Sequence, residues 1–115
     1  MKDIDKQVLH IVETLENGCT YSDAGMDAEE YNAKESDIIS GFDYLQDVLD
    51  IEYITDSKKE YLGARVLVSF GGPNIWINTR TKQVEGYWWQ DSSVKSYHED
   101  AMGIDESLEE LFNCI

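Results

Sequence analysis

The sequence predicts an α+β fold in which helices pack on one face of an antiparallel sheet. Apolar residues recur at helical spacing in the first and last parts of the chain, whereas they alternate with polar residues in between. Short polar or glycine-containing segments separate the alternating runs at distances typical of hairpins. The predicted order is two N-terminal helices, a three- to four-stranded antiparallel sheet and a C-terminal helix, in a single domain over residues 1–115.

The two N-terminal helices are predicted at 4–16 and 37–49. Asp3 is the expected N-cap of the first helix, and Gly18 follows its end. Ser36 is the expected N-cap of the second helix. The second helix has an apolar stripe formed by Ile38, Ile39, Phe42, Leu45, Val48 and Leu49.

The sheet is predicted over residues 61–97, where the hydrophobic period changes to two. Its strands contain the runs EYLGARVLVSF, IWIN, VEGYWW and SVKSY, and the earlier run IEYIT is a short extended piece. Alternation places Trp88 and Trp89 on opposite faces. If helices cover one face, at least one of these tryptophans lies on the uncovered side. A third helix is predicted at 104–113, with its glutamates facing water.

The charge is extreme and uneven. The formal net charge is -15. This exceeds the magnitude of about 2 to 8 that is enough to keep a small domain soluble. Between Glu13 and Asp56 there are 13 acids and one base, Lys34. Such a surface attracts basic proteins and repels nucleic acid and anionic membranes. We therefore predict no direct nucleic-acid binding and no membrane binding.

Motifs for chemistry are scarce. Cys19 and Cys114 lack the spacing of a zinc or redox site and are interpreted as free, buried thiols. His10 and His98 adjoin no nucleophile motif, and no EF-hand spacing is present. We predict no enzymatic activity and no metal or organic cofactor. Without a signal-peptide pattern or a long apolar run, the expected location is the cytoplasm.

The acidic surface is the strongest functional signal. Duplex DNA presents one negative charge per about 1.7 Å of axis, and a helix with a carboxylate every turn approaches the density of one strand. The surface would imitate nucleic acid and occupy the basic groove of a nucleic-acid-binding protein. The acids assigned to this surface are Asp23, Asp27, Glu29, Glu30, Glu35, Asp37, Asp43, Asp47, Asp50 and Glu52.

A second interpretation stays open. The acids would then form only a solvated face, and an exposed aromatic sheet face would bind a protein partner. Trp88 and Trp89 are the candidate contact residues, because large aromatics dominate many protein interfaces. This interpretation predicts a small accessory or immunity-type protein.

The run GGPNIWINTRTKQVEGYWW and the acidic amphipathic terminal helix resemble a group of small acidic proteins of bacterial phages, plasmids and conjugative elements. Some of these are similar to anti-CRISPR proteins that inhibit Cas9. The resemblance covers residues 62–113 and carries over no functional residue. It implies an anti-defence role on a mobile element. With the charge, it predicts a non-enzymatic inhibitor of a basic, nucleic-acid-handling host-defence protein, with a Cas9-type effector as one candidate.

Overall fold

The fold is α+β, with helices at both ends of the chain and a sheet between them. The computed structural model describes residues 2–115. The helices are α1 (Asp3–Asn17), a short 3-10 helix (Ala28–Tyr31), α2 (Gly41–Gln46) and α3 (Ile104–Asn113). One antiparallel sheet contains five strands in sequence order: β1 (Asp50–Thr55), β2 (Tyr61–Ser69), β3 (Asn74–Asn78), β4 (Gln83–Trp88) and β5 (Asp91–Ser96).

The helices cover one face of the sheet. Val66, Ile77 and Val84 are opposite one another on neighbouring strands and are buried. α1 packs against β4 and β5, whereas α3 packs against β2 and α2 packs against α3. Gly86 lets α1 approach β4 closely, because a Cβ there would lie 2.8 Å from Ile4 Cδ1. The resulting apolar core lies between the helices and this face.

Helices α1 and α3 agree closely with the prediction. The bounds of α3 coincide with 104–113, and α1 extends one residue beyond 4–16 at each end. The predicted cap Asp3 is wrong, because Asp3 lies inside the first turn and Lys2 occupies the cap position. An acid in the first turn still stabilises the helix through its dipole.

The predicted helix at 37–49 is wrong in its length. α2 has six residues, Gly41–Gln46, and its N-cap is Ser40 rather than Ser36. The Ser40 Oγ accepts the backbone N–H of Asp43 at 3.2 Å. The helix therefore begins later than the apolar spacing suggested, at the serine whose side chain caps it.

The residues flanking α2 form hydrogen bonds with distant segments rather than continuing the helix. Ile38 pairs with Thr20 in an isolated antiparallel bridge, and the backbone N–H of Leu49 donates to the carbonyl oxygen of Leu67 at 2.9 Å. Ile38 and Leu49 are both exposed. The apolar positions of 37–49 thus belong to three different local structures, although their spacing matches one helix.

The sheet has five strands, whereas three to four were predicted. The piece IEYIT is part of the edge strand β1, which pairs with β2 along its length. Asp56 fixes the connection, because its Oδ1 accepts the backbone N–H groups of Lys58 at 2.8 Å and Glu60 at 2.9 Å. This side chain completes a turn that brings β2 back beside β1.

Candidate functional site

The acidic stretch between α1 and α2 folds as a closed loop. At its neck, the backbone N–H of Tyr21 donates to the carbonyl oxygen of Asp37 at 3.2 Å. Tyr21 and Ala28 are buried in the core and anchor the loop. We call residues 22–36 the acidic loop; it contains five acids and one base. Compact loops with close ends are frequently functional.

The ion pairs of residues 2–115 lie outside this loop. Arg65 bonds to Glu52 at 3.3 Å and to Glu85 at 3.2 Å, and Lys2 bonds to Asp91 at 3.0 Å. Glu52, predicted to be a partner-binding acid, therefore has an internal cation partner. No such partner is present within residues 2–115 for Asp23, Asp27, Glu29, Glu30, Glu35, Asp37, Asp43, Asp47 or Asp50.

Some of these acids stabilise the local fold. Asp27 Oδ1 accepts the N–H of Glu29 at 3.1 Å at the start of the 3-10 helix. Asp37 Oδ2 accepts the N–H of Lys34 at 3.0 Å. Asp43 accepts the hydroxyl of buried Tyr21. Asp50 Oδ1 accepts the N–H of the next residue.

Five candidate acids have no such role. They are exposed, and within residues 2–115 their side chains make neither an ion pair nor a hydrogen bond. Their charges are therefore available to solvent or to a partner. These acids are Asp23, Glu29, Glu30, Glu35 and Asp47.

The acidic loop and α2 form one negative surface. Tyr31 of the loop lies close to Asp43 of α2, to Asp47, the C-cap of α2, and to Glu30. Burial raises the pKa of Tyr31, and the negative charges of these three carboxylates raise it further. The ring of Tyr31 packs on Tyr21, with centroids 5.7 Å apart. Because the Tyr21 hydroxyl donates to Asp43, Tyr21 links Tyr31 of the loop to α2.

Asp50 and Glu52 lie apart from that surface. They alternate along β1 with Tyr53, whose ring packs on Phe112 of α3 at 5.3 Å between centroids. Their side chains are therefore on the sheet face opposite the helices. The continuous run of acids in the sequence is divided between two faces of the molecule, contrary to its assignment to one surface.

A cleft of about 600 Å³ opens between α1 and α2. It lies where α1, which rests on β4 and β5, is separated from α2, which packs on α3, and Val68 of β2 is part of its lining. This cleft was not predicted from the sequence, because it joins residues distant in the chain. Its apolar lining includes Ile11, Met26, Val48 and Val68, and its carboxylates are Glu13, Asp23 and Asp47.

The other polar groups of the cleft add no negative charge near neutral pH. Burial raises the pKa of the Cys19 thiol, and the nearby charge of Asp23 raises it further. Burial also raises the pKa of Tyr44 to about 12. The half-buried Cys19 and the exposed Cys114 are both free, so the predicted burial of Cys114 is wrong.

A second candidate surface lies at one end of the sheet. We call Phe70, Tyr87, Trp88 and Trp89 the aromatic end. Trp88 and Trp89 pack edge to face with centroids 6.0 Å apart. A Cβ on Gly72, in the loop after Phe70, would be 3.4 Å from the Trp88 ring. Trp89 is 89% exposed and Phe70 is 71% exposed.

The backbone of Trp89 is unusual. It has φ of 56°, in the left-handed region that bulky residues rarely adopt. Trp89 lies in the tight turn between β4 and β5, so its predicted position on a strand face is wrong. Trp88 shares the face of Val84, but it is partly exposed at the strand end. Phe70 was not among the predicted contact residues, although the glycines that follow it mark a strand end.

No family model matches this chain, and no curated protein or solved structure matches it. Of the helices in residues 2–115, none has the length and apolar character needed to cross a membrane. Within the same residues, no three His, Cys, Asp or Glu side chains are grouped as a metal site requires. The absence of a cofactor stays a prediction.

Proposed function

We propose that this protein is a non-enzymatic inhibitor that binds a basic, nucleic-acid-handling host-defence protein through the acidic loop and α2. A Cas9-type effector is one candidate partner. The observation that carries the proposal is the set of five exposed acids that have no ion pair or side-chain hydrogen bond within residues 2–115. The host-defence setting comes from the resemblance of residues 62–113.

Unpaired like charges on one small surface disfavour the compact state through mutual repulsion. A basic groove that normally holds phosphates supplies the missing cations. Each exposed charge pair contributes about 0.2–1 kcal/mol, and more where the contact excludes water. Binding is therefore the sum of many modest contacts, and affinity falls steeply with salt.

Charge reversal in the acidic loop tests this proposal. Glu29, Glu30 and Glu35 are suitable positions because they are exposed and, within residues 2–115, form neither an ion pair nor a side-chain hydrogen bond. Asp43 is unsuitable, since its replacement also removes the acceptor of the Tyr21 hydroxyl. The triple variant Glu29→Lys, Glu30→Lys, Glu35→Lys should lose at least about tenfold in affinity, because three attractions become three repulsions.

The matched control reverses three charges on α3. Glu106, Glu109 and Glu110 are also exposed. Their replacement by lysine changes the net charge by the same amount as the loop variant, but on α3. Pull-down from a bacterial lysate across a salt series provides the partner, and titration calorimetry compares the variants after circular dichroism confirms folding. Equal losses in both variants would show a general charge effect. An unchanged, salt-independent complex with the loop variant would exclude mimicry.

The aromatic end favours the second candidate function, an accessory or immunity-type protein that binds its partner through tryptophan. A bulky residue held in the left-handed region is strained, and such strain is often found at functional positions. In addition, Trp89 exposes almost its entire side chain. Exposed aromatics of this kind are frequent interface hot spots.

The same complex distinguishes the two candidates. If the aromatic end makes the contact, Trp89→Ala should cost about 2 kcal/mol or more in binding, while the loop lysines leave affinity unchanged. If the acidic loop makes the contact, Trp89→Ala should have little effect. Val94→Ala is the matched control, because Val94 is also exposed on the sheet but lies outside the aromatic end.

A further inference from the structure

We infer that the cleft between α1 and α2 receives an arginine side chain of the protein partner. The inference rests on the proposed function, because the arginine belongs to the basic partner proposed there. The cleft of about 600 Å³ is within the usual size of a ligand pocket, about 300–1,000 Å³. It has room for one long side chain and part of its backbone.

The lining of the cleft matches a long cation. An aliphatic stem needs an apolar wall, and its charged head needs acceptors at the edge. The apolar residues of the lining form the wall for the stem. Glu13, Asp23 and Asp47 supply the acceptors for the head; they are exposed and lack ion pairs within residues 2–115. No lysine or arginine is among the lining residues. The charge therefore selects cations and disfavours anions.

Arginine fits this lining better than lysine. A guanidinium is more weakly hydrated than an ammonium, so less hydration is lost when it enters a partly apolar cleft. Its planar donors bond to two or more carboxylates at once. Tyr44 also lines the cleft, and an aromatic ring is a favourable neighbour for a guanidinium.

A peptide titration tests the inference without the partner. The probe is acetyl-Gly-Arg-Gly-amide, and the control peptide has citrulline, which has nearly the same shape but no charge. We expect amide NMR shifts at residues lining the cleft with the arginine peptide. Binding of the citrulline peptide should be at least about tenfold weaker. Equal shifts with both peptides, or shifts spread over all exposed acids, would overturn the inference.

Paired variants locate the site. The double variant Asp23→Asn, Asp47→Asn should weaken the arginine peptide about tenfold. The control is the double variant Glu106→Gln, Glu110→Gln, which removes the same amount of charge from exposed positions of α3. It should leave the peptide affinity unchanged. Equal losses in the two double variants would overturn the inference. The spectra themselves show whether each variant is folded.

The protein complex separates this inference from the proposed function. If the complex is weakened by the loop lysines but not by Asp23→Asn, Asp47→Asn, the cleft does not hold an arginine and the proposed function stands. If the arginine peptide binds in the cleft but the loop lysines leave the complex intact, the acidic loop is not the contact surface. The proposed function then fails while the arginine site stands.

Discussion

Three of the four acids on the strands form ion pairs, whereas the acidic loop leaves its acids unpaired. On the open face of the sheet, Arg65 of β2 bonds to Glu52 of β1 and Glu85 of β4, so one cation connects three strands. The same guanidinium stacks on the ring of Trp76, 4.3 Å from its centroid. In the acidic loop, no carboxylate has an ion pair within residues 2–115.

The paired acids of the sheet take part in interactions within the fold, whereas the unpaired carboxylates of the acidic loop, except that of Asp27, do not within residues 2–115. Exposed ion pairs contribute only about 0–1 kcal/mol each, so most stability must come from packing beneath the sheet. The acidic loop is attached by the buried side chains of Tyr21 and Ala28 and by backbone hydrogen bonds at its neck. We therefore expect its carboxylates, except that of Asp27, to change without loss of the fold, as a binding surface requires.

The largest effect on stability is expected where α1 meets the sheet. Gly86→Val should lower the free energy of unfolding by about 3 kcal/mol, because the added side chain collides with Ile4 and Val8. Gly72→Ala is the control, since the nearest atom to its Cβ would be 3.4 Å away on the Trp88 ring. Urea denaturation measures both. Equal stabilities would contradict the close packing of α1 on β4.

A smaller effect is expected at the anchor of the acidic loop. Tyr21→Phe removes a buried hydroxyl that donates to Asp43 and should cost about 1.5–2 kcal/mol in unfolding free energy. Tyr31→Phe is the control and should change stability by less than about 0.5 kcal/mol, because no hydrogen bond of the Tyr31 hydroxyl is present within residues 2–115. If both variants unfold at the same urea concentration, the bond to Asp43 does not hold the loop.

The smallest effect concerns salt. Raising NaCl from ~10 mM to ~0.5 M shortens the Debye length and screens repulsion among unpaired acids. The melting temperature should therefore rise by a few degrees. In the variant Glu29→Gln, Glu30→Gln, Glu35→Gln, differential scanning calorimetry should show a smaller rise. A melting temperature that falls with salt would mean that the ion pairs of the sheet outweigh the repulsion.

Sequence spacing predicted the elements whose surroundings are uniform along their length. α1 and α3 each bury one stripe against the sheet, so helical spacing located them to within one residue at each end. The prediction failed at 37–49 because Ile38 pairs with Thr20 and Leu49 pairs with β2. Those contacts depend on residues distant in the sequence. Spacing alone does not reveal them.

The candidate site was predicted in composition but not in arrangement. Residue counts located the acids, and strand alternation predicted that at least one of Trp88 and Trp89 is exposed. They did not show that Asp43 binds Tyr21, that Glu52 binds Arg65, or that a cleft opens between α1 and α2. Each of these features depends on which side chains the fold brings together. The exposure of Phe70 similarly depends on where β2 leaves the covered face.

Mimicry of nucleic acid is tested most directly by competition. The captured partner is first bound to a fluorescently labelled DNA or RNA duplex, and the protein is then added while anisotropy is recorded. If the acidic loop occupies the phosphate-binding groove, the protein should displace the duplex completely, and the Glu29→Lys, Glu30→Lys, Glu35→Lys variant should not. A partner that holds the duplex and the protein at the same time would contradict the proposed mimicry.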